Sequence, residues 1–108
     1  MLITNPRALA PYFDLTQTVR AIALTDSVVA EANPDRVALS FVGQAAGTVI
    51  LRPGVPATAT LGFTLTSPNH LDFFFADWGG IVGREWHGIT AGAGFSILVI
   101  ESIFRPFR

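Results

Sequence analysis

The chain has 108 residues, a formal net charge of −1, seven arginines and neither lysine nor cysteine. That is the length of one domain, and it excludes a disulfide framework, a thiolate metal site, P-loop or Schiff-base lysine chemistry and the basic patch that nucleic acid requires. Charged residues are 14% of the chain against about 25% in typical globular domains, and mean hydropathy is +0.48, so part of the apolar surface is expected to be covered by other subunits or a partner.

Residues 1–12 read as an extended arm. Pro6 and Pro11 forbid a helix, while Leu2, Ile3, Leu9 and Tyr12 need an apolar surface to lie on. Arg7 sits between them, where it could reach a carboxylate on a partner. Asn5-Pro6-Arg7 and Pro11 also interrupt the charged-then-apolar layout of a signal peptide. No apolar run approaches the roughly 20 residues of a membrane span.

From Phe13 to Arg20 the pattern is strand-like, with Phe13, Leu15 and Val19 on one side around a polar Gln17, and Asp14, Thr16, Thr18 and Arg20 on the other. Residues 21–24 blur the alternation, and a short helix competes there. Thr25-Asp26-Ser27 signals a turn, and Val28-Val29-Ala30 is a short β-prone run. Asn33-Pro34 then suits a type I turn, since Asn hydrogen-bonds the backbone ahead and Pro presets its own φ. Arg36 opens the following strand, with Val37, Leu39 and Phe41 on one face and Ala38 and Ser40 on the other. Arg36 is expected to be structural, donating to backbone carbonyls or to a carboxylate such as Asp35 or Glu101.

A Gly43–Gly47 loop leads to a strand over 48–51, which Pro53 ends because it cannot donate to a ladder. Residues 58–66 read as a strand, and Ser67-Pro68-Asn69 as a turn. In the strand 70–76, Leu71, Phe73 and Phe75 face one way and His70, Asp72 and Phe74 the other. After a turn at 77–80, residues 81–89 read as a strand broken by Gly83, with Trp86 a buried anchor against the Leu39 strand or a neighbouring subunit. Residues 95–100 are a nearly unbroken apolar run, as in a strand covered on both faces, and 102–108 read as a short tail. Seven or eight short strands, with turn signals every 8–12 residues, predict an all-β single domain over 1–108: one antiparallel β-sandwich, jelly-roll-like.

Few residues suggest chemistry. His70 and Asp72 share a strand face, as do Glu85 and His87, but nothing in the spacing joins the two pairs and no HExxH-type motif is present. They are expected to be surface polar residues. Ser96 lacks the second glycine of a nucleophile elbow, and the 90–94 glycines have no lysine beside them for a phosphate. No catalytic residue, cofactor or metal site is expected. Phe74 and Trp78 are aromatics that core packing does not obviously absorb, and they support an alternative reading as a carbohydrate- or peptide-binding module.

The order Asn33-Pro34-Asp35-Arg36-Val37-Ala38-Leu39, a Gly-bounded hairpin, Arg52-Pro53-Gly54, a Thr-rich strand, Glu85-Trp86-His87-Gly88-Ile89 and a last apolar strand closed by Glu101 resembles small β-sandwich virion proteins of tailed bacteriophages. The resemblance runs from about Val28 to Glu101. It implies a non-enzymatic structural protein, made in the host bacterial cytoplasm and placed on the virion. Such a protein works as a capsid decoration or attachment module by symmetric self-assembly, often three-fold, against a capsid or tail protein. It implies no nucleic-acid or membrane partner. Asn33, Pro34, Arg36, Trp86 and Glu101 become candidates for structural or assembly roles.

Overall fold

The structure, a computed structural model, describes residues 12–44, 47–55, 62–66, 69–90 and 95–105. Eight strands run in order: β1 (Tyr12–Ile22), β2 (Ser27–Ala30), β3 (Arg36–Gly43), β4 (Thr48–Pro53), β5 (Phe63–Thr66), β6 (His70–Phe74), β7 (Trp86–Thr90) and β8 (Phe95–Arg105). They form two four-stranded antiparallel sheets, β1-β8-β3-β6 and β2-β7-β4-β5. First pairs with last, β2 with β7, β3 with β6 and β4 with β5. The chain is thus one long hairpin, with β4 and β5 at its tip, rolled so that successive strands mostly switch sheets. This is the eight-stranded jelly roll that the strand and turn spacing predicts.

Three segments differ from the sequence expectation. The strand expected over 70–76 stops at Phe74 and the one expected over 81–89 starts only at Trp86, so the turn expected at 77–80 is part of a longer crossing: a four-residue helix α1 (Phe75–Trp78) and a 3₁₀ turn over Gly79–Gly83 carry the chain from one sheet to the other. Phe75 therefore leaves the Leu71–Phe73 face and is exposed. The fourth strand runs to Pro53, beyond Leu51, the last described residue that pairs with β5. On the β7 side the backbone bonding continues to Gly54, whose N–H donates to Glu85 O at 2.7 Å, so the missing proline donor costs no ladder bond among the described residues. The expected C-terminal tail is strand as far as Arg105, because Phe104 and Arg105 keep pairing with Phe13 and Tyr12.

The core lies between the sheets. Leu39, Phe41 and Phe73 from one sheet meet Val49, Leu51, Leu65 and Trp86 from the other, all buried. Removing each such side chain from water contributes about 1.5–3 kcal/mol. The Trp86 ring is the centre, 4.7 Å from Phe73, 5.3 Å from Phe41 and 6.0 Å from Phe63 between centroids. Gly88 lets this core close: a Cβ there would lie 2.9 Å from Val29 Cγ1.

Candidate functional site

A turn and a bulge place the arginine that organises one end of the sandwich. The Asn33 side chain accepts from the Asp35 N–H (3.0 Å), and its carbonyl accepts from the Arg36 N–H (3.1 Å), closing a four-residue turn through Pro34. Arg36 then pairs with Ile103 while Ala38 pairs with the adjacent Ser102, so Val37 is an extra residue. A bulge of this kind re-aims side chains. It takes Val37 off the Leu39–Phe41 face, where simple alternation had put it, and turns Arg36 inward.

Arg36 is 1% exposed. Its Nε donates to Glu101 Oε1 at 2.8 Å, and one terminal nitrogen lies 2.5 Å from the same oxygen. The other terminal nitrogen donates to the carbonyls of Val82 (2.9 Å) and Arg84 (3.1 Å), and a further bond goes to the Glu31 carbonyl. The guanidinium thus ties β3 to β8, to the 3₁₀ turn and to the end of β2. Glu101 Oε2 accepts from the Thr16 hydroxyl at 3.1 Å, adding β1. The turn rests on the 3₁₀ segment: Asn33 N–H donates to Gly83 O at 2.8 Å. A Cβ at Gly83 would sit 2.7 Å from Asn33 O and 3.3 Å from Pro34 Cα, backbone atoms with little freedom to yield. Gly83→Ala is expected to cost about 1–3 kcal/mol by overpacking, read as a lowered midpoint in urea. An unchanged midpoint would show that the turn is not seated there.

This polar cluster explains the first strand. Phe13, Leu15 and Val19 are 59%, 66% and 61% exposed, so the apolar side of β1 faces solvent. Register gives the reason: Thr16 pairs with Glu101, Thr18 with Val99 and Arg20 with Ile97, which puts the polar side of β1 on the inner face. The inner face there is polar and open. A cleft of about 260 Å³ lies beneath it, lined by Thr18, Arg20, Glu31, Asn33, Arg36 and Glu101 among others. Arg20 Nε is buried in this neighbourhood without a hydrogen-bond partner.

The outward face of the β1-β8-β3-β6 sheet is consequently rich in apolar side chains. Its cross-strand rows read Leu15–Ser102–Ala38–Phe74 and Val19–Leu98–Val42–His70, with Gln17–Ile100–Ser40–Asp72 between them. At one end Phe13 meets Phe104 edge-on at 5.7 Å. There Phe13, Val37, Phe74, Phe75 and Phe104 line an open groove of about 470 Å³. An exposed face of this kind marks an interaction surface.

Among the described residues the titratable side chains form two separate histidine–carboxylate groups. His87 lies between Asp26 (Nδ1 to Oδ2, 2.7 Å) and Glu85 (Nε2 to Oε1, 2.9 Å). Asp26 comes from the β1–β2 turn, and its role was invisible in the sequence because sixty-one positions separate it from His87. His70 and Asp72 form a separate, exposed pair at 3.2 Å, of the kind that contributes little. Among the described residues no group of three His, Cys, Asp or Glu side chains could hold a metal ion, and no helix is long and apolar enough to cross a membrane.

The two aromatics singled out from the sequence go to different places. Phe74 is exposed in the outer groove. Trp78 leans edge-on against Phe63 (5.4 Å) and Phe73 (5.5 Å), closing the side of the core while part of its ring stays in solvent. Leu2, Ile3, Arg7 and Leu9 lie outside the described residues, and Tyr12 opens β1 opposite Arg105. What the geometry defines is a jelly roll with a locked arginine at one end and an apolar sheet face that no described residue covers. Comparison with family models, curated proteins and solved structures finds no match.

Proposed function

We propose that the protein is a non-enzymatic virion component of a tailed bacteriophage, a capsid decoration or attachment module that acts by symmetric self-assembly on a capsid or tail protein. One observation carries the reading: the outward sheet face that exposes Phe13, Leu15, Val19 and Phe74, with Phe75 of α1 beside it in the groove, which a monomer would leave in water. The sequence resemblance between Val28 and Glu101 supplies the viral context, and three-fold symmetry is the arrangement it implies. Jelly rolls serve both capsid and lectin domains, so the architecture alone does not choose between them. The saturation of Arg36 by backbone carbonyls and Glu101 supports a rigid scaffold role at that end.

The test is to purify particles of the encoding phage and co-sediment them with labelled protein. The reading expects saturable binding at a copy number that matches a symmetry of the particle, and weaker binding by Leu15→Asp or Val19→Asp. No binding to particles, together with glycan binding lost in Phe74→Ala, would replace it with the carbohydrate-binding alternative.

A further inference from the structure

Strand β1 is the edge of its sheet, paired with β8 on one side. Among the described residues nothing pairs with its other side. It is eleven residues long, unbulged against β8, and free of proline within Tyr12–Ile22. An edge of this kind offers a row of backbone donors and acceptors to another strand. The one protective device it carries is a pair of inward-facing charges, Asp14 and Arg20, and these are opposite in sign.

The sequence of β1 complements itself about its centre. In an antiparallel ladder, directly opposed residues share a face and a hydrogen-bonding class. Two copies of one strand therefore pair only in registers that centre on a residue. Centring on Gln17 sets Asp14 opposite Arg20, Leu15 opposite Val19, Phe13 opposite Ala21, Thr16 opposite Thr18 and Gln17 opposite itself. Centring on Thr16 sets Leu15 opposite Gln17 and Asp14 opposite Thr18. Centring on Thr18 sets Gln17 opposite Val19 and Thr16 opposite Arg20. The Thr16 register still opposes Phe13 with Val19, and the Thr18 register Leu15 with Ala21, but each sets an apolar residue against Gln17. Only the Gln17 register of these three pairs the charges and leaves no apolar residue of 13–21 facing a polar one. It also supplies the carboxylate that Arg20 lacks: Arg20 Nε is buried without a partner. Asp14 spends one oxygen, Oδ2, on Arg105 at 2.9 Å and retains the other.

We infer that a second copy of this chain pairs with the β1 edge, antiparallel and centred on Gln17, so that the two β1-β8-β3-β6 sheets become one. The inference rests on the self-assembly reading above and gives it a contact. The two outward apolar faces become continuous, Leu15 of each copy beside Val19 of the other, and form one broad surface for the structure that the pair binds. Opposed charges on the inner face disfavour an unrelated strand and favour a second β1. The contact is isologous and two-fold, so a three-fold arrangement would have to use other surfaces.

The absence of cysteine permits a direct register test. Opposed Cα atoms lie about 4.5 or 5.5 Å apart, within the disulfide range of about 4.4–6.8 Å. Under mild oxidation Gln17→Cys should give a disulfide-linked pair. Leu15→Cys and Val19→Cys should each stay unlinked alone and link when mixed. Independently, Asp14→Arg and Arg20→Asp should each weaken pairing by roughly tenfold or more, because like charges then face each other twice, and mixing the two should restore it. Circular dichroism melts check that each variant is folded, and if Arg20→Asp is not, the cysteine set decides. An oligomer that persists without linkage at position 17, or that links best at another position, overturns the β1 contact and leaves self-assembly standing. A folded chain that is monomeric at every concentration tried overturns both.

Discussion

Trp86→Ala is expected to lower the unfolding free energy by about 3–5 kcal/mol, the range for emptying a large aromatic site in a core. The size follows from position. The ring is fully buried and touches aromatic neighbours from both sheets, Phe41 and Phe73 on one and Phe63 on the other, so its loss unfastens the two layers at once. Trp86→Phe should cost clearly less, because the indole N–H is buried without an acceptor and phenylalanine removes that unpaired donor. Urea titration separates the two. A loss below about 1 kcal/mol for the alanine variant would mean that the core collapses around the gap. In a Trp78→Phe background, Trp86 should emit as a water-shielded indole.

Arg36→Ala should cost about as much, roughly 3–5 kcal/mol, by leaving Glu101 and several carbonyls without their donor. Glu101 is only 19% exposed, so water compensates it in part. Removing both charges with apolar residues of similar size, Arg36→Met with Glu101→Leu, should recover only the part of the loss that comes from the stranded Glu101 carboxylate, because the carbonyls of Val82, Arg84 and Glu31 stay without their donor. Chemical denaturation of the two single variants and the double variant gives the coupling energy. An Arg36→Ala protein that melts like the parent, yet no longer assembles, would move this arginine from the scaffold to an interface.

Local pattern carried much of the architecture. The alternation around Leu39 and Phe41 gave β3 its inward face, and the Asn33-Pro34 turn is closed by the hydrogen bonds that those residue types favour. What local pattern could not show were contacts set by distant chain segments. The Val37 bulge depends on how β8 meets β3, and no residue near Val37 announces it. The 79–83 glycines allowed either a broken strand or a 3₁₀ turn, and the need to pass from one sheet to the other decided for the turn. The first strand is the most instructive. Its Phe13-Leu15-Val19 side is the more apolar one, and a rule of apolar residues inward points it into the core. The register against β8 instead sets its polar side over Glu101 and the cleft. The apolar side is left outward, in keeping with the low charge and high hydropathy of the whole chain.

That inversion is the physical root of the assembly reading: a strand that turns hydrophobic residues to solvent along a sheet edge with no partner among the described residues has two kinds of unsatisfied surface at one place. The most direct measurement is the mass of the untagged protein by sedimentation equilibrium, from sub-micromolar to about 100 μM, a range that brackets the affinities of ordinary specific contacts. The account predicts a discrete, concentration-dependent species of at least twice the 11.6 kDa chain mass, lost in Leu15→Asp. A single 11.6 kDa species throughout that range would contradict it.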